Sequence, residues 1–340
     1  SSHWIGGFFF LTFLILIFSN FKNEYKLTHL VYNPDKATNL FKDTKKIIIK
    51  VFFIYTFLTA LIFIFFTLSG IRLFNSFNLA MTVSSTGAFL PTNELSEIIK
   101  YSSQKIILTI ALFFSALNIY FFYSLFTNND TMRKHYEDIL ILLTAFFFSL
   151  LLFFFIQETS FLNILFSVAS SLSNSGMSIF TPPKNLYLFF IFLTIIGGSV
   201  ISNSSGIKIL RLYILFKSTV LEIFKLVSPN IIIDQRILKT EHKINNENLN
   251  SSFFIFICFF ISIFILSSIL TAGGLNFEKS FKLSILTITN TVNSSLFGLS
   301  DIDFFNLLTS SKIFIILFMI IGKIELISLF LIIKKIISRK

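Results

Sequence analysis

The chain has 340 residues, of which 54% are hydrophobic and 49 are phenylalanine, and its mean hydropathy is +0.81. Soluble domains use about 45–50% apolar residues, so this composition excludes an ordinary soluble protein and indicates a polytopic membrane protein. The net charge of +11 does not indicate nucleic-acid binding, because the basic residues lie in short connections between apolar runs. The positive-inside rule accounts for them there.

The sequence contains no residue pattern that indicates an enzyme. The single cysteine, Cys258, excludes an intramolecular disulfide and a cysteine-rich metal site, and we interpret it as a small buried apolar residue. The four histidines are scattered, and no pair has the spacing of a helical metal site. We therefore predict neither a resident metal nor a cofactor.

An apolar run from Trp4 to Phe18 opens the chain. No initiator methionine or basic segment precedes it, so we predict no signal peptide. We expect this run to be the last helix of a repeat unit whose other parts are missing from the chain. The polar and basic residues that follow predict a cytoplasmic connection.

The next apolar segments have a definite order of lengths. Residues 47–68 are long enough to span a bilayer, whereas residues 73–83 are too short. The short segment leads into a polar turn that contains Gly87, and residues 106–126 predict a second span. The order is therefore span, half-span, polar turn and span.

This order returns twice, which is the strongest evidence in the sequence. The second copy has a span at 139–156, a half-span at 161–172, a turn at 173–177 and an apolar segment at 186–217. In the third copy the corresponding segments are 253–270, 281–289, 290–300 and 313–337. Basic residues accumulate between the copies, so each half-span should enter and leave the membrane on the non-cytoplasmic side.

The segment 186–217 is interrupted by the glycine-rich run GGSVISNSSG, where an unbroken helix would lie at the bilayer centre. Non-helical backbone is tolerated at that depth only inside protein or against a water-filled cavity. The run therefore indicates a pore or a transport site. The alternative is two short helices joined by a surface loop.

The turns have the composition of a cation filter. A turn that holds a dehydrated alkali ion needs inward-facing carbonyl groups, which glycine permits, and neutral hydroxyl or amide oxygens suit such a site. Thr86-Gly87, Ser175-Gly176 and the segment 293–298 meet this description. Each motif alone is weak evidence for a filter, but the three motifs occur at corresponding places in the three copies of the repeat.

These motifs resemble the TrkH/KtrB potassium transporters of the Trk/Ktr/HKT superfamily. The resemblance covers SHWIGG at 2–7, NPDKATNLFK at 33–42, AMTVSSTGAFLPTN at 80–93 and SNSGM at 173–177. It is most specific at GGSVISNSSGIKILR, residues 197–211, and it continues in IIGKIELISLF at 320–330. The resemblance implies an all-α fold of four helix, pore-loop, helix units around one pore, in the inner membrane of a bacterial cell.

The resemblance assigns roles to individual residues and to segments. Potassium would pass a filter made by Ser85, Thr86, Gly87, Ala88, Asn174, Ser175, Gly176, Met177, Asn293, Ser294, Ser295 and Leu296. The intramembrane gate would comprise Gly197, Gly198, Ser199, Ser202, Asn203, Ser204, Ser205 and Gly206, with Lys323 as its partner. The units would be 1–19, 51–126, 139–217 and 251–340, with cytoplasmic connections at 20–50, 127–138 and 218–250.

The resemblance also implies partners and raises alternatives. A homodimer with one pore per subunit and a cytoplasmic nucleotide-binding regulatory subunit are expected. Lys323 could instead extend its ammonium group to the membrane interface. Leu296 stands where the fourth filter of the family has glycine, or else that glycine is displaced.

Other functions remain open. Because one filter loop is missing, the chain is expected to be a fragment that does not conduct alone. The alternatives are a degenerate or regulatory subunit that does not conduct, and a polytopic transferase of lipid-linked substrates.

Overall fold

The computed structural model describes residues 2–20, 44–92, 94–122, 136–156, 159–227, 236, 244, 246–299, 302 and 304–324. Within these residues the protein is all-helical and has the predicted repeats. Three described helices contain segments long and apolar enough to cross a membrane, namely Ile48–Leu68, Tyr136–Phe155 and Asn248–Ala272. Each begins one of the three copies of the repeat.

Eleven α-helices of the described residues define the units. Helix α1 (Ser2–Asn20) stands first, and the next unit has α2 (Thr44–Leu68), α3 (Leu73–Ser84) and α4 (Ser102–Ala116). The following unit has α5 (Tyr136–Phe155), α6 (Phe161–Leu172), α7 (Tyr187–Ile196) and α8 (Ile209–Val227). The last unit has α9 (Asn246–Ala272), α10 (Phe277–Ile288) and α11 (Thr309–Ile324). Short 3₁₀ turns lie at Leu95–Glu97, Lys184–Leu186, Ser295–Phe297 and Phe304–Asn306.

The units join in a ring-like order. The first helix of each unit packs against its own half-span helix, in the pairs α2 with α3, α5 with α6, and α9 with α10. The helix that ends one unit packs against the half-span helix of the next: α1 against α3, α4 against α6, and α7 against α10. Helix α11 contacts α1, so the last unit meets the first helix. The half-span helices are thereby held towards the centre.

Burial explains why the half-span helices remain in place although they are short. Helix α6 is buried from Phe166 to Leu172, and α10 is buried from Leu283 to Ile288. In contrast, the helices that begin the units leave large apolar side chains exposed, including Phe53, Phe147 and Phe264. Exposed apolar surface of this kind suits contact with lipid rather than with water.

The structure corrects the prediction of an unbroken span at 106–126. Helix α4 ends at Ala116, Leu117 has an extended backbone with ψ of 160°, and helical structure resumes at 119–122. Residues 123–126 lie outside the described residues. The helix breaks because groups at 116 and 119 form hydrogen bonds with the interrupted segment of the next unit.

Two predicted connections are shorter than expected. Helix α8 continues to Val227, past the predicted boundary at 217, because Leu221 packs inward while Glu222 and Lys225 form an exposed ion pair of 2.6 Å. Helix α5 begins at Tyr136, inside the predicted connection 127–138. The remaining parts of the cytoplasmic connections, and residues 325–337 of the predicted last span, lie outside the described residues.

Candidate filter and intramembrane gate

The three polar turns begin with the same backbone structure. We call those that follow α3, α6 and α10 the second, third and fourth turns, after the family's units that the resemblance assigns to them. Helices α3, α6 and α10 each have 12 residues, and each is followed by one capping residue and then by a residue in the left-handed conformation. These left-handed residues are Thr86, Asn174 and Asn290, with φ of 56°, 60° and 52°. Asparagine tolerates this region better than most residues, but it is unusual for threonine.

The hydrogen bonds of the three caps are equivalent. The amide nitrogen one position after the left-handed residue donates five residues back, in the pairs Gly87 to Thr82, Ser175 to Ser170 and Thr291 to Leu286, at 2.8, 3.1 and 2.9 Å. This six-to-one bond is the mark of a Schellman motif, which satisfies carbonyl groups at the end of a helix. The internal repeat is therefore present at the level of single hydrogen bonds.

This equivalence changes the register that the sequence suggested. Gly87 corresponds to Ser175 and Thr291, while Gly176 corresponds to Ala88 and Val292. Only Gly176 among the latter three has a positive φ, of 78°. In this alignment of the caps, Val292 is the residue of the fourth turn that corresponds to Gly176.

Leu296 belongs to the apolar core instead. It lies in a 3₁₀ turn, is fully buried, and is part of the same core cluster as Phe190 and Phe297. Its neighbours Ser294 and Ser295 form bonds at the edge of that turn, the second through a 2.9 Å hydrogen bond to Ser178 Oγ. Asn293 directs its amide nitrogen to Leu299 O at 2.8 Å.

The third and fourth turns lie against each other. A Cβ atom built on Gly176 would fall on the backbone of Val292, and Asn174 Nδ2 lies 3.3 Å from Thr291 Oγ1. The hydroxyl groups of Thr289 and Thr291 are 2.9 Å apart. The turns thus bring together backbone and neutral side-chain oxygens from two different units.

The second turn lies between α1 and the intramembrane loop. His3 Nδ1 is 2.8 Å from Ser85 Oγ, and a Cβ atom on Gly87 would meet the His3 ring. Thr86 Oγ1 donates to Ser85 O at 2.7 Å and to Asn203 O at 3.2 Å. Ala88 and Met177 continue the second and third turns, and Met177 O accepts a bond from Ser170 Oγ at 2.7 Å.

The apolar segment 186–217 is interrupted as predicted, between Ile196 and Ile209. Gly197 and Gly206 have φ of 69° and 88°. A Cβ atom on Gly197 would meet Ser205 O, and one on Gly206 would meet the carbonyl oxygens of Thr194 and Ile195 at the end of α7. Glycine is required at both places because L-residues rarely adopt this backbone and would also collide there. We call residues 197–208 the intramembrane loop.

Asn203 joins this loop to two other units. Its Nδ2 donates to Ser84 O at 2.8 Å, at the end of the second half-span helix. Its carbonyl oxygen accepts from Thr86 Oγ1 at 3.2 Å and from Lys323 Nζ at 2.5 Å. The Lys323 ammonium group also lies 4.7 Å from the centre of the Phe10 ring, on α1. The structure therefore brings together the predicted gate and its predicted partner.

The other predicted gate residues form a hydroxyl network. Ser202 Oγ donates to Ser199 O at 2.8 Å and lies 2.6 Å from Ser204 Oγ, which accepts from Gly198 N at 3.0 Å. Among the predicted filter and gate residues that the structure describes, five buried side-chain oxygens have no hydrogen-bond partner there: Asn174 Oδ1, Ser199 Oγ, Asn203 Oδ1, Ser205 Oγ and Asn293 Oδ1. Neutral oxygens of this kind can bind water or a cation without a strong charge trap.

Four charged side chains around the loop were not singled out by the sequence analysis. Glu137, Asp138, Lys208 and Arg211 are each at most 3% exposed. Lys208 donates to Ser204 O, and Glu137 Oε1 accepts from Val200 N at 2.8 Å. Their positions at the ends of apolar runs suggested solvated connections, so only the position of Lys208 directly after the glycine-rich run was a signal.

This architecture defines a class of membrane protein: repeated units, each with a half-span helix and a polar turn, arranged around an intramembrane loop. Comparison with known proteins gives the same class. The chain superposes on the crystal structure of the potassium transporter TrkH from Vibrio parahaemolyticus with a TM-score of 0.81, at 18% identity, covering 97% of this chain and 70% of that one.

Two curated proteins are similar in sequence. The chain is 24% identical over 288 residues to an uncharacterized cation transporter of Methanocaldococcus jannaschii, which covers 80% of this chain and 57% of that protein. It is 27% identical over 172 residues to the Trk system potassium uptake protein TrkG of Escherichia coli, covering 49% and 34% respectively. No family model matches the chain.

Together these findings agree with the resemblance of the sequence motifs to the Trk/Ktr type of potassium transporters. The chain has the fold of TrkH, and its long apolar helices agree with a multi-pass membrane location. The chain spans about 57% and 34% of the lengths of the two curated relatives.

Proposed function

We propose that the chain forms part of a potassium uptake pore whose filter is made by the polar turns and whose gate is the intramembrane loop. One observation carries this proposal. The three capped turns repeat the same hydrogen bonds, and Asn203 of the loop is bonded to the second of them and to Lys323. A surface loop between two ordinary helices would not need these contacts.

The turns can replace the water around an alkali ion. Removing a cation from water is costly unless oxygen atoms take the place of its hydration shell. The third and fourth turns supply hydroxyl, amide and backbone oxygens close together, with Asn174 and Thr291 in contact. Neutral oxygens bind the ion weakly enough to release it, which conduction requires.

The loop lies directly beside the second turn and can close the pore there. The Lys323 ammonium group donates a hydrogen bond to the carbonyl oxygen of Asn203, so that its positive charge lies beside the loop. A cation that approaches this point meets both a physical obstruction and a like charge. Opening then requires that Asn203 leave Lys323 and Thr86.

We propose that conduction requires a fourth filter loop beside the three described here. The three units form three sides of a ring, and α1 packs against α3 as the last helix of a further unit would. A homodimer and a cytoplasmic nucleotide-binding regulatory subunit, which the resemblance implies, remain part of this proposal. No cofactor of the chain itself is needed, since potassium is the transported substrate.

Growth of cells that lack their own potassium uptake systems tests the proposal. The chain is expressed alone and with an added N-terminal pore unit from a family member, in medium with little potassium. We expect growth with the added unit and none with the chain alone. If neither form supports growth while both are found in the membrane, potassium uptake by this chain is contradicted.

A second function is favoured by one observation in the filter. Ala88 and Val292 occupy the position that Gly176 has in the third turn, so two of the three turns have a side chain at this position. A side chain at this position can narrow the passage or turn a carbonyl group away. The alternative is a subunit that does not conduct and that assembles with a conducting one. Copurification with such a transporter, without rubidium flux by the chain itself, would favour it.

A further inference from the structure

The intramembrane loop is attached differently along its length. Its first limb, residues 198–201, is bonded through its backbone to α4 and α5, whereas its second limb, residues 202–205, is held by side chains. We propose that Glu137 is a positioning residue that keeps the first limb fixed, so that only the second limb moves when the pore opens. This inference rests on the proposed gating function of the loop.

The first limb is paired with the break in α4. Ser199 N donates to Ala116 O at 3.0 Å, and Ile119 N donates to Ile201 O at 3.0 Å. The two bonds lie on either side of Leu117 and Asn118, so the loop and the broken helix satisfy each other's backbone groups. Unpaired backbone groups are costly inside a membrane protein, and separating these strands would expose both sets.

Two neighbouring carboxyl groups hold the first limb and the break in α4. Glu137 Oε1 accepts from Val200 N at 2.8 Å, in the middle of the first limb. Asp138 Oδ1 accepts from Asn118 N at 2.9 Å, in the middle of the helix break. Both residues lie in the first turn of α5. The first turn of α5 therefore fixes both the first limb and the break in α4 with which this limb pairs.

The Glu137 contact is suited to a permanent anchor. A buried backbone amide that loses its acceptor is left unsatisfied, which opposes release of the Val200 amide from Glu137. Glu137 is 3% exposed, so water does not compete for the bond.

The second limb has no comparable attachment. No backbone amide of residues 202–205 donates a hydrogen bond within the part of the chain that the structure describes. Asn203 is held by one side-chain bond to Ser84 and by the side chains of Thr86 and Lys323. Side chains can release these bonds by rotation, without breaking a backbone pair.

A small cavity lies beside this limb. Its volume is about 30 Å³, enough for one or two water molecules, and Ser202 and Asn203 line it. The other walls come from α1, α2, α3 and the broken α4, and they include Tyr55, Ser84 and Ser115. The cavity gives the second limb polar groups and adjacent space.

Hydrogen exchange of the purified chain, followed by mass spectrometry, tests the anchor without any flux. In the unaltered protein we expect slower exchange at residues 199–201 than at 202–205. Glu137→Ala removes the acceptor of Val200 N and should speed exchange at 199–201 by about tenfold, the effect of leaving a buried amide without an acceptor. Glu137→Gln keeps an acceptor oxygen, so it should restore most of the protection.

The matched control is Glu222→Ala, which removes an exposed glutamate from the ion pair with Lys225. It should leave exchange at 199–201 unchanged. Equal protection of 199–201 in Glu137→Ala and in the unaltered chain would overturn the proposal. So would Glu137→Gln behaving like Glu137→Ala, because the contact would then not act through its acceptor oxygen.

Reversible cross-links test which limb moves. In a Cys258→Ser background, Ala116→Cys with Ser199→Cys links the first limb to α4, and Thr86→Cys with Asn203→Cys links the second limb to the filter turn. Each pair is compared with itself before and after oxidation, so that the substitutions themselves cancel. With the N-terminal pore unit added, we expect oxidation of the first pair to leave rubidium flux unchanged. Oxidation of the second pair should abolish the flux until reductant is added.

The outcomes separate the two proposals. Loss of flux on oxidation of both pairs would overturn the fixed limb, because the loop would then move as one body. Absence of flux in all reduced proteins would contradict the proposed function instead. The exchange measurement would still decide whether Glu137 anchors the first limb.

Discussion

The third and fourth turns begin alike and then differ at one position. Both follow a 12-residue helix, and both have a left-handed asparagine, Asn174 or Asn290, after the cap. Two residues later the third turn has Gly176 with φ of 78°, whereas the fourth has Val292. The cap therefore determines where each turn starts, whereas the residues that follow determine which groups the turn presents.

The two turns also depend on each other. Gly176 has no side chain at the point where the backbone of Val292 passes, and a Cβ atom there would overlap the Val292 carbonyl oxygen. The asymmetry is therefore compensated, since the turn with the glycine makes room for the turn without it. Substitutions at Gly176, Leu296 and Val292 separate these contributions.

Gly176→Ala should have the largest effect. It places an L-residue at a positive φ, which costs about 1–2 kcal/mol. In addition, the Cβ atom would lie 2.2 Å from Val292 O, so the backbone of one of the two turns must shift. We expect a large loss of thermal stability in detergent, or a loss of potassium selectivity if the turn shifts to avoid the collision. Gly70→Ala is the matched control, since Gly70 has φ of 86° and nothing within 4 Å. If both variants behave alike, the contact between the turns does not matter.

Leu296→Ala should reduce stability and leave selectivity unchanged. Truncating a fully buried leucine costs roughly 2–5 kcal/mol, because a cavity remains where the side chain packed. Thermal unfolding, together with the ratio of rubidium to sodium flux, measures both properties. A changed ratio with unchanged stability would restore Leu296 to the filter, as the sequence suggested.

Val292→Gly should have the smallest effect on stability, because Val292 is only half-buried and its loss removes little packing. It makes the fourth turn resemble the third at this position. We expect a higher preference for potassium over sodium, measured as the ratio of their fluxes. An unchanged ratio would show that this position of the fourth turn does not line the passage.

Most of the architecture could be predicted from the sequence because long apolar runs, half-length runs and glycine-rich turns have clear signatures in a membrane protein. The half-span 161–172 agrees with its helix to the residue. The break in α4 could not be predicted, because its cause is the pairing with Ser199 and Ile201, which lie more than 80 residues further along the chain.

The register of the filter was harder to predict than its existence. Glycine is the clearest signal of a turn in a sequence, which favours an alignment of Gly87 with Gly176. The cap hydrogen bonds instead show that Gly87 corresponds to Ser175. The charged cluster was also missed. Glu137 and Asp138 stand at the edge of an apolar run, where solvation is the usual expectation, and only the fold brings Val200 and Asn118 to them.

The most direct test of the gated pore is rubidium uptake into membrane vesicles by the chain, with an added N-terminal pore unit, before and after shortening of residues 198–205. We expect faster uptake after shortening, with competition by excess potassium, because the obstruction is removed while the filter turns remain. An uptake rate equal to that of the unshortened protein, at equal amounts in the membrane, would contradict the assignment of this loop as the gate.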